Sequence, residues 1–283
     1  VRSFAVWLAI TLITVELCAQ VATRYPPMAR QLGAGTPTAR RLVAQAQAMQ
    51  AADDPMRTAG AGRLQWHPRW GWMNRPGERS TEGYTSTVNA LGQRSTRVEG
   101  VAEIVVIGDS FTFGDEVNDD ESFAWLLQEK MAAPVTNLGT FGYGLDQILL
   151  RLRDNEDGLR PRVVVLCLDG PVVLRDVLDW DVWRRPRFGL VDGRLVEPRL
   201  PMPTPAEALH ERPWLATWDI ISLWREIASN PLRDDALSGA YAHALLAELN
   251  GTIRAMGATP LVVWLPMPQD ITATGVIPTV GRE

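Results

Sequence analysis

The chain has 283 residues, 46% of them hydrophobic, enough for an α/β domain of about 180 to 200 residues plus an N-terminal extension, which argues against intrinsic disorder. A net charge of −5, a pI near 5.4 and the lack of a basic stripe interleaved with aromatics set nucleic acid aside as a partner. Cys18 and Cys167 have neither metal-site spacing nor a disulfide framework, and no metal or organic cofactor is implied.

From Phe4 to Ala22 the chain is apolar over the helical length of one bilayer crossing, interrupted by Glu16 and Gln20. The run exceeds the apolar core of a cleaved signal peptide, and Leu17-Cys18-Ala19 is a poor cleavage site, so residues 1–25 are expected to form a membrane anchor or signal-anchor. Glu16 keeps open a buried helix of a soluble protein, because a charge in lipid is costly. Arg2 precedes the span while Arg24 and Arg30 follow it, a distribution that disfavours export under the positive-inside rule.

Residues 26–100 read as a juxtamembrane stalk and an irregular lead-in. Thr36-Pro37 opens a helix with Leu42, Val43, Ala46 and Met49 on one face, stopped by Asp53-Asp54-Pro55. Residues 56 to 100 are rich in Gly, Pro, Arg and Trp without a sustained period. Trp66, Trp70 and Trp72 suit a carbohydrate-stacking platform, although tryptophans more often fill hydrophobic gaps.

From residue 101 the pattern changes. Ile104-Val105-Val106-Ile107 is an unbroken apolar run ended by Gly108, as in a parallel strand buried on both faces. Asp119 or Asp120 then caps a helix with Phe123, Leu126, Leu127 and Met131 on one side, and Pro134 to Leu138 is a second strand. A helix carrying Leu145, Ile148, Leu149 and Leu152 precedes the strand Val163 to Leu168. Farther on, a helix with Leu245, Leu249, Ile253 and Met256 feeds the strand Leu261 to Leu265. This alternation predicts an α/β domain over residues 101–283, its parallel sheet covered on both faces. Asp192-Gly193 between Leu190-Val191 and Leu195-Val196 signals a hairpin in a proline-rich excursion placed to shape or lid a cleft.

Ser110 falls just past the carboxyl end of the first core strand, where open α/β sheets place ligands. Gly108 permits a sharp turn, and the Ser110 N–H can face a developing oxyanion. Gly-Asp-Ser triplets are common in turns, but a second glycine-rich loop, Asn137 to Gln147, follows the second strand at the same sheet edge, and its Gly142 N–H is a further oxyanion donor candidate. The runs IVVIGDSFTFG and NLGTFGYGLDQ together resemble the first two sequence blocks of the SGNH (GDSL-like) serine hydrolases. Asn89, Gly92 and Arg94 resemble the N-x-x-G-x-R segment that precedes them in membrane-anchored bacterial members, where an apolar span ending in Glu with Arg soon after also occurs. The resemblance covers residues 60 to 265. It implies a flavodoxin-like three-layer α/β/α domain acting on esters through Ser110 as nucleophile. Asp109 would support the serine loop, and the N–H groups of Ser110 and Gly142 would form part of the oxyanion hole. Acyl groups of envelope polysaccharide or lipid become the expected substrates, met by an extracytoplasmic domain.

Two family features are missing. The G-x-N-D segment after the third strand is replaced by Asp169-Gly170-Pro171-Val172, and an ionised Asp169 cannot donate as the family's Asn does. No D-x-x-H occurs in the sequence. His67, His210 and His243 read as structural or solvated, and Asp270, after the last strand, has no histidine following it. Either the chain is truncated and its fold incomplete at the C-terminus, the favoured expectation, or it is a degenerate relative. The expected activity is ester hydrolysis through an acyl-serine, from which acyl transfer is inseparable by sequence; the alternative is a non-catalytic envelope module that binds glycan or a partner protein.

Overall fold

The computed structural model describes residues 2–24, 36–48, 62–81, 83–96, 101–155, 158–175, 178, 180, 183–211, 213, 215–229 and 235–266. In chain order its first elements are α1 (Arg2–Arg24), α2 (Pro37–Ala48), β1 (Leu64–His67), β2 (Gly71–Asn74), β3 (Gly77–Thr81) and β4 (Tyr84–Val88). Then come β5 (Ile104–Ile107), α3 (Ser110–Phe113), a 3-10 turn (Asp119–Glu121), α4 (Phe123–Met131), β6 (Val135–Asn137), α5 (Leu145–Asp154) and β7 (Val163–Leu168). The last are α6 (Gly170–Arg175), β8 (Gly189–Val191), β9 (Arg194–Val196), α7 (Pro205–His210), α8 (Ala216–Ser229), α9 (Asp235–Ala255) and β10 (Thr259–Trp264). They divide into two compact units, one of Val1–Trp72, Leu178–Pro186 and Arg199–Asp235, the other of Met73–Val177, Arg187–Pro198 and Ala236–Glu283.

The second unit is built on a parallel sheet of order β6-β5-β7-β10, flanked by helices in the α/β/α manner. All four residues of β5 are buried, as are five of the six in β7, which is why both read as continuous apolar runs. Residues alternate across the strands. Ile104, Val106, Val135, Val165 and Cys167 therefore share one face, where Ala124 of α4 packs on them. The chain begins the sheet at β5, places β6 on one side and β7 and β10 on the other, and so creates a switch point beside the carboxyl end of β5.

Two expectations need correction here. Of the apolar stripe assigned to α4 only Leu127 packs on the core: Phe123, Leu126 and Met131 are exposed, while Ala124 and Gln128 are buried. The helix is capped by Ser122 rather than Asp119 or Asp120, and Gln128 Oε1 accepts from the Val135 N–H at 3.1 Å, which turns that face toward β6. The lead-in, expected to be irregular, contains four short strands. Within it β3 and β4 form an antiparallel pair from Gly77↔Val88 to Thr81↔Tyr84. The β-branched run of β4 is too short, and too close to glycines, to show a period. The hairpin at Asp192-Gly193 is present, with φ of 50° and 74° at the two turn residues as its tight turn requires.

In the first unit α1, α2 and α8 pack on one another. Thr36 Oγ1 caps α2 through the Ala39 N–H at 3.2 Å, and Ala39 and Leu42 form a core with Leu223 of α8, so α2 is a packed helix. Its expected stop at Asp53-Asp54-Pro55, and Met49, lie outside the described residues. Glu16, the defect in the apolar span, is committed: its carboxylate accepts from the Ala216 N–H at 2.7 Å and the Thr217 N–H at 3.2 Å, capping the start of α8. Trp70 and Trp72 are buried, and Trp66 Nε1 donates to the Pro203 carbonyl at 2.9 Å, so these rings fill gaps.

Candidate active site

Position 108 admits only glycine. A Cβ there would lie 2.1 Å from Thr112 Oγ1 and 2.7 Å from the Cys167 carbonyl oxygen of the adjacent β7. Asp109 then caps α3, its Oδ1 accepting from the Phe111 N–H at 3.0 Å and its Oδ2 pairing with Arg175 Nη1 at 2.9 Å. Ser110 is the first residue of α3 and is half-buried, and its hydroxyl has no hydrogen-bond partner among the described residues. At the start of a helix the first N–H groups lack intrahelical acceptors, so the Ser110 N–H is also uncommitted by the helix.

The second glycine loop is riveted to the first. Asn137, at the end of β6, donates from Nδ2 to the carbonyls of Thr112 at 3.0 Å and Phe113 at 3.3 Å, while its Oδ1 accepts from the Gly139 N–H at 2.8 Å. The Thr140 N–H reaches the Gly108 carbonyl at 3.1 Å. Gly142 is buried in left-handed backbone, φ 74°, and its N–H has no acceptor among the described residues. The structure thus brings Ser110 and Gly142 onto neighbouring loops at the carboxyl ends of β5 and β6.

Residues whose role the sequence left unassigned hold this frame. Asn89 Oδ1 accepts from the N–H groups of Leu91 and Gln93, folding a turn in which Gly92 has φ 72°. The Gly92 carbonyl then takes Asn74 Nδ2 at 2.9 Å and Arg151 Nη2 at 2.8 Å, and Arg151 also donates to Thr140 Oγ1. Arg94, buried, donates to the carbonyls of Phe113 at 3.0 Å, Val117 at 2.7 Å and Gly114, and pairs with Asp119 at 3.1 Å. The N-x-x-G-x-R segment therefore props both loops: its glycine carries Arg151 to the second and its arginine closes the end of α3.

The third loop supplies Asp169 and Arg175. Arg175 Nη1 bridges Asp109 and the Tyr143 carbonyl, at 2.9 and 3.1 Å, linking all three strand ends. Asp169 is buried beside Asp109 and accepts from the Val172 N–H at 2.7 Å. Burial first, and the Asp109 charge second, push its carboxyl up to about 6 from 3.8. Below that pH a protonated Asp169 can donate. Because the folded pKa is raised, the unfolded chain releases this proton first. Stability therefore falls as pH rises from about 4 to about 6 and stays lowered above. Asp169→Asn keeps the acceptor and cannot ionise. Urea midpoints from about pH 4 to 8 are expected to show it losing that slope and exceeding the parent chain in stability at about pH 7; parallel profiles for the two proteins would refute the assignment.

No described histidine hydrogen-bonds Ser110. His243 is exposed on α9. In the first unit His67 accepts from the Arg69 and Trp70 N–H groups and stacks on Trp70, and His210 is exposed at the end of α7. Asp270 lies outside the described residues. Among solved structures there is a similarity to AlinE4, an SGNH-hydrolase family esterase. That structure, and one of a serine-to-alanine mutant of AlinE4, each align with 58% of this chain and 77% of their own at 16% identity and a TM-score of 0.26. A score at that level adds no argument about the site. No protein-family model matches the chain, and no curated protein does.

Proposed function

We propose that the chain is an SGNH-type serine acyl hydrolase held at a membrane by α1, with Ser110 as the nucleophile. The observation that carries this reading is the uncommitted Ser110 hydroxyl at the switch point, one strand away from the uncommitted Gly142 N–H. An ester carbonyl seated there is attacked by Ser110 Oγ, whose proton passes to a base as the C–O bond forms. The oxyanion is met by the N–H groups of Ser110 and Gly142, and its collapse expels the alcohol. Water then releases the acid, or a sugar hydroxyl takes the acyl group. The Asp109–Arg175 pair holds the serine turn. Anchoring is supported by α1, a helix long and apolar enough to cross a membrane or to be a signal sequence. In this reading the second unit works outside the cytoplasm, on acyl groups of envelope glycan or lipid.

A second reading, a non-catalytic module binding glycan or a partner protein in the same cleft, is favoured by the lack of a described histidine beside Ser110. Fluorophosphonate labelling of the full chain separates the two: an adduct on Ser110 supports the hydrolase, and its absence from folded protein supports the module.

A further inference from the structure

Helix α8 has a second apolar face where a polar one is expected. Its acidic residues turn into the protein: Asp219 pairs with Arg41, and Glu226 accepts from the Thr38 N–H at 3.0 Å and the Thr38 hydroxyl at 2.6 Å. Ile220 and Leu223 pack inward with Ala39 and Leu42, but its other large apolar residues turn out. Trp218, Ile221, Trp224 and Ile227 are 44 to 74% exposed, and only Arg225 adds charge to that side. A helix packed on a water-soluble unit has the opposite arrangement.

The neighbour of α8 indicates what covers this face. All residues of α1 from Ser3 to Val15 are exposed, whereas Glu16, Ala19, Gln20 and Thr23, one helical stripe, are covered or half-covered. Glu16 lies eight residues, about 12 Å at 1.5 Å per residue, before Arg24, the charged end of the apolar span. A bilayer that takes in this span therefore also takes in the segment capped onto α8 through Glu16. That contact holds the start of α8 just inside the headgroup level marked by Arg24, close to the depth of about 5 to 10 Å at which the apolar face of an interfacial helix lies and near the level at which tryptophan is favoured.

From this geometry we infer that α8 is an interfacial helix whose Trp218–Ile221–Trp224–Ile227 face is seated in the lipid surface, with Arg225 reaching the headgroup phosphates. The inference rests on the reading of α1 as a membrane anchor. It gives the chain a two-helix membrane footing in place of a single tether, and Glu16 enters the bilayer boundary with its oxygens already hydrogen-bonded.

The test uses the full chain in phosphatidylcholine–phosphatidylglycerol vesicles with brominated acyl chains. Tryptophan emission is compared among the parent chain, Trp7→Phe, and the double variant Trp218→Phe/Trp224→Phe, all altered at exposed positions. The emission assigned by difference to Trp218 and Trp224 is expected to be blue-shifted and to lose about half its intensity to bromines near the headgroup end. Trp7 should be quenched as well. Lipid quenching of Trp7 with Trp218 and Trp224 open only to aqueous acrylamide overturns the inference and leaves the anchor standing. Trp218 and Trp224 shielded from both quenchers means that protein covers the face, and also overturns it. An unquenched Trp7 removes the anchor, and the inference with it.

Discussion

Gly139→Ala is expected to lower the stability of the second unit by about 3 kcal/mol or more, the upper range for overpacking a close-packed site. A Cβ at residue 139 would lie 2.2 Å from the Phe113 nitrogen and 2.6 Å from the Thr112 carbonyl carbon. Both are backbone atoms of α3, so no side-chain rotation relieves the contact. Either loop must then retreat, breaking the bonds that Asn137 makes to Thr112, Phe113 and Gly139. Gly251→Ala, in α9 with nothing within 4 Å of the added Cβ, should instead stabilise by about 0.5 to 1 kcal/mol through helix propensity. Urea midpoints of the two variants measured together decide the matter; equal shifts would mean that the two glycine loops are not in the contact described.

Arg94→Met should cost about 3 to 5 kcal/mol, the range for removing one partner of a buried ion pair. The substitution leaves the Gly114 and Val117 carbonyls without the arginine donor, the Phe113 carbonyl with Asn137 alone, and Asp119 without its cation. Asp119 also accepts from the Thr87 N–H at 3.1 Å, so β4 loosens from the same point. Arg94→Lys should recover little, since an ammonium group cannot fork to four acceptors. Denaturation midpoints check the magnitude. A Lys variant within about 0.5 kcal/mol of the parent would show the guanidinium to be incidental.

The sheet was legible because its strands are buried on both faces: β5 and β7 stand in the sequence as Ile104–Ile107 and Val163–Leu168 with the bounds they have in the structure. Gly108 and Gly139 were visible as glycines, but what excludes any other residue there comes from α3 and β7, across the fold. Arg94 and Asn137 were visible only as members of a resemblance; their work is hydrogen bonding to backbone distant in sequence, which carries no periodic signal. Arg175 had no signal at all, because its partners Asp109 and Tyr143 come from two other loops. The face of α4 was misread because four apolar residues on a helix suggest burial, while one hydrogen bond from the Val135 N–H to Gln128 turns the helix so that only Leu127 of the four packs on the core. Glu16 looked like an obstacle to an anchor for the same reason: its partners, Ala216 and Thr217, are two hundred residues away.

The central claim is that the clamped turn presents Ser110 as an acylatable nucleophile that wants a base. Its most direct test is mass spectrometry of the peptide carrying Ser110 after exposure of the full chain to a fluorophosphonate, with and without imidazole as an added base, beside Ser110→Ala. The account predicts a single adduct on Ser110, absent from the variant and formed at least about tenfold faster with imidazole, the lower side of what general-base assistance supplies. A folded chain whose Ser110 stays unmodified with imidazole present, or whose labelling is unchanged in Ser110→Ala, would contradict it.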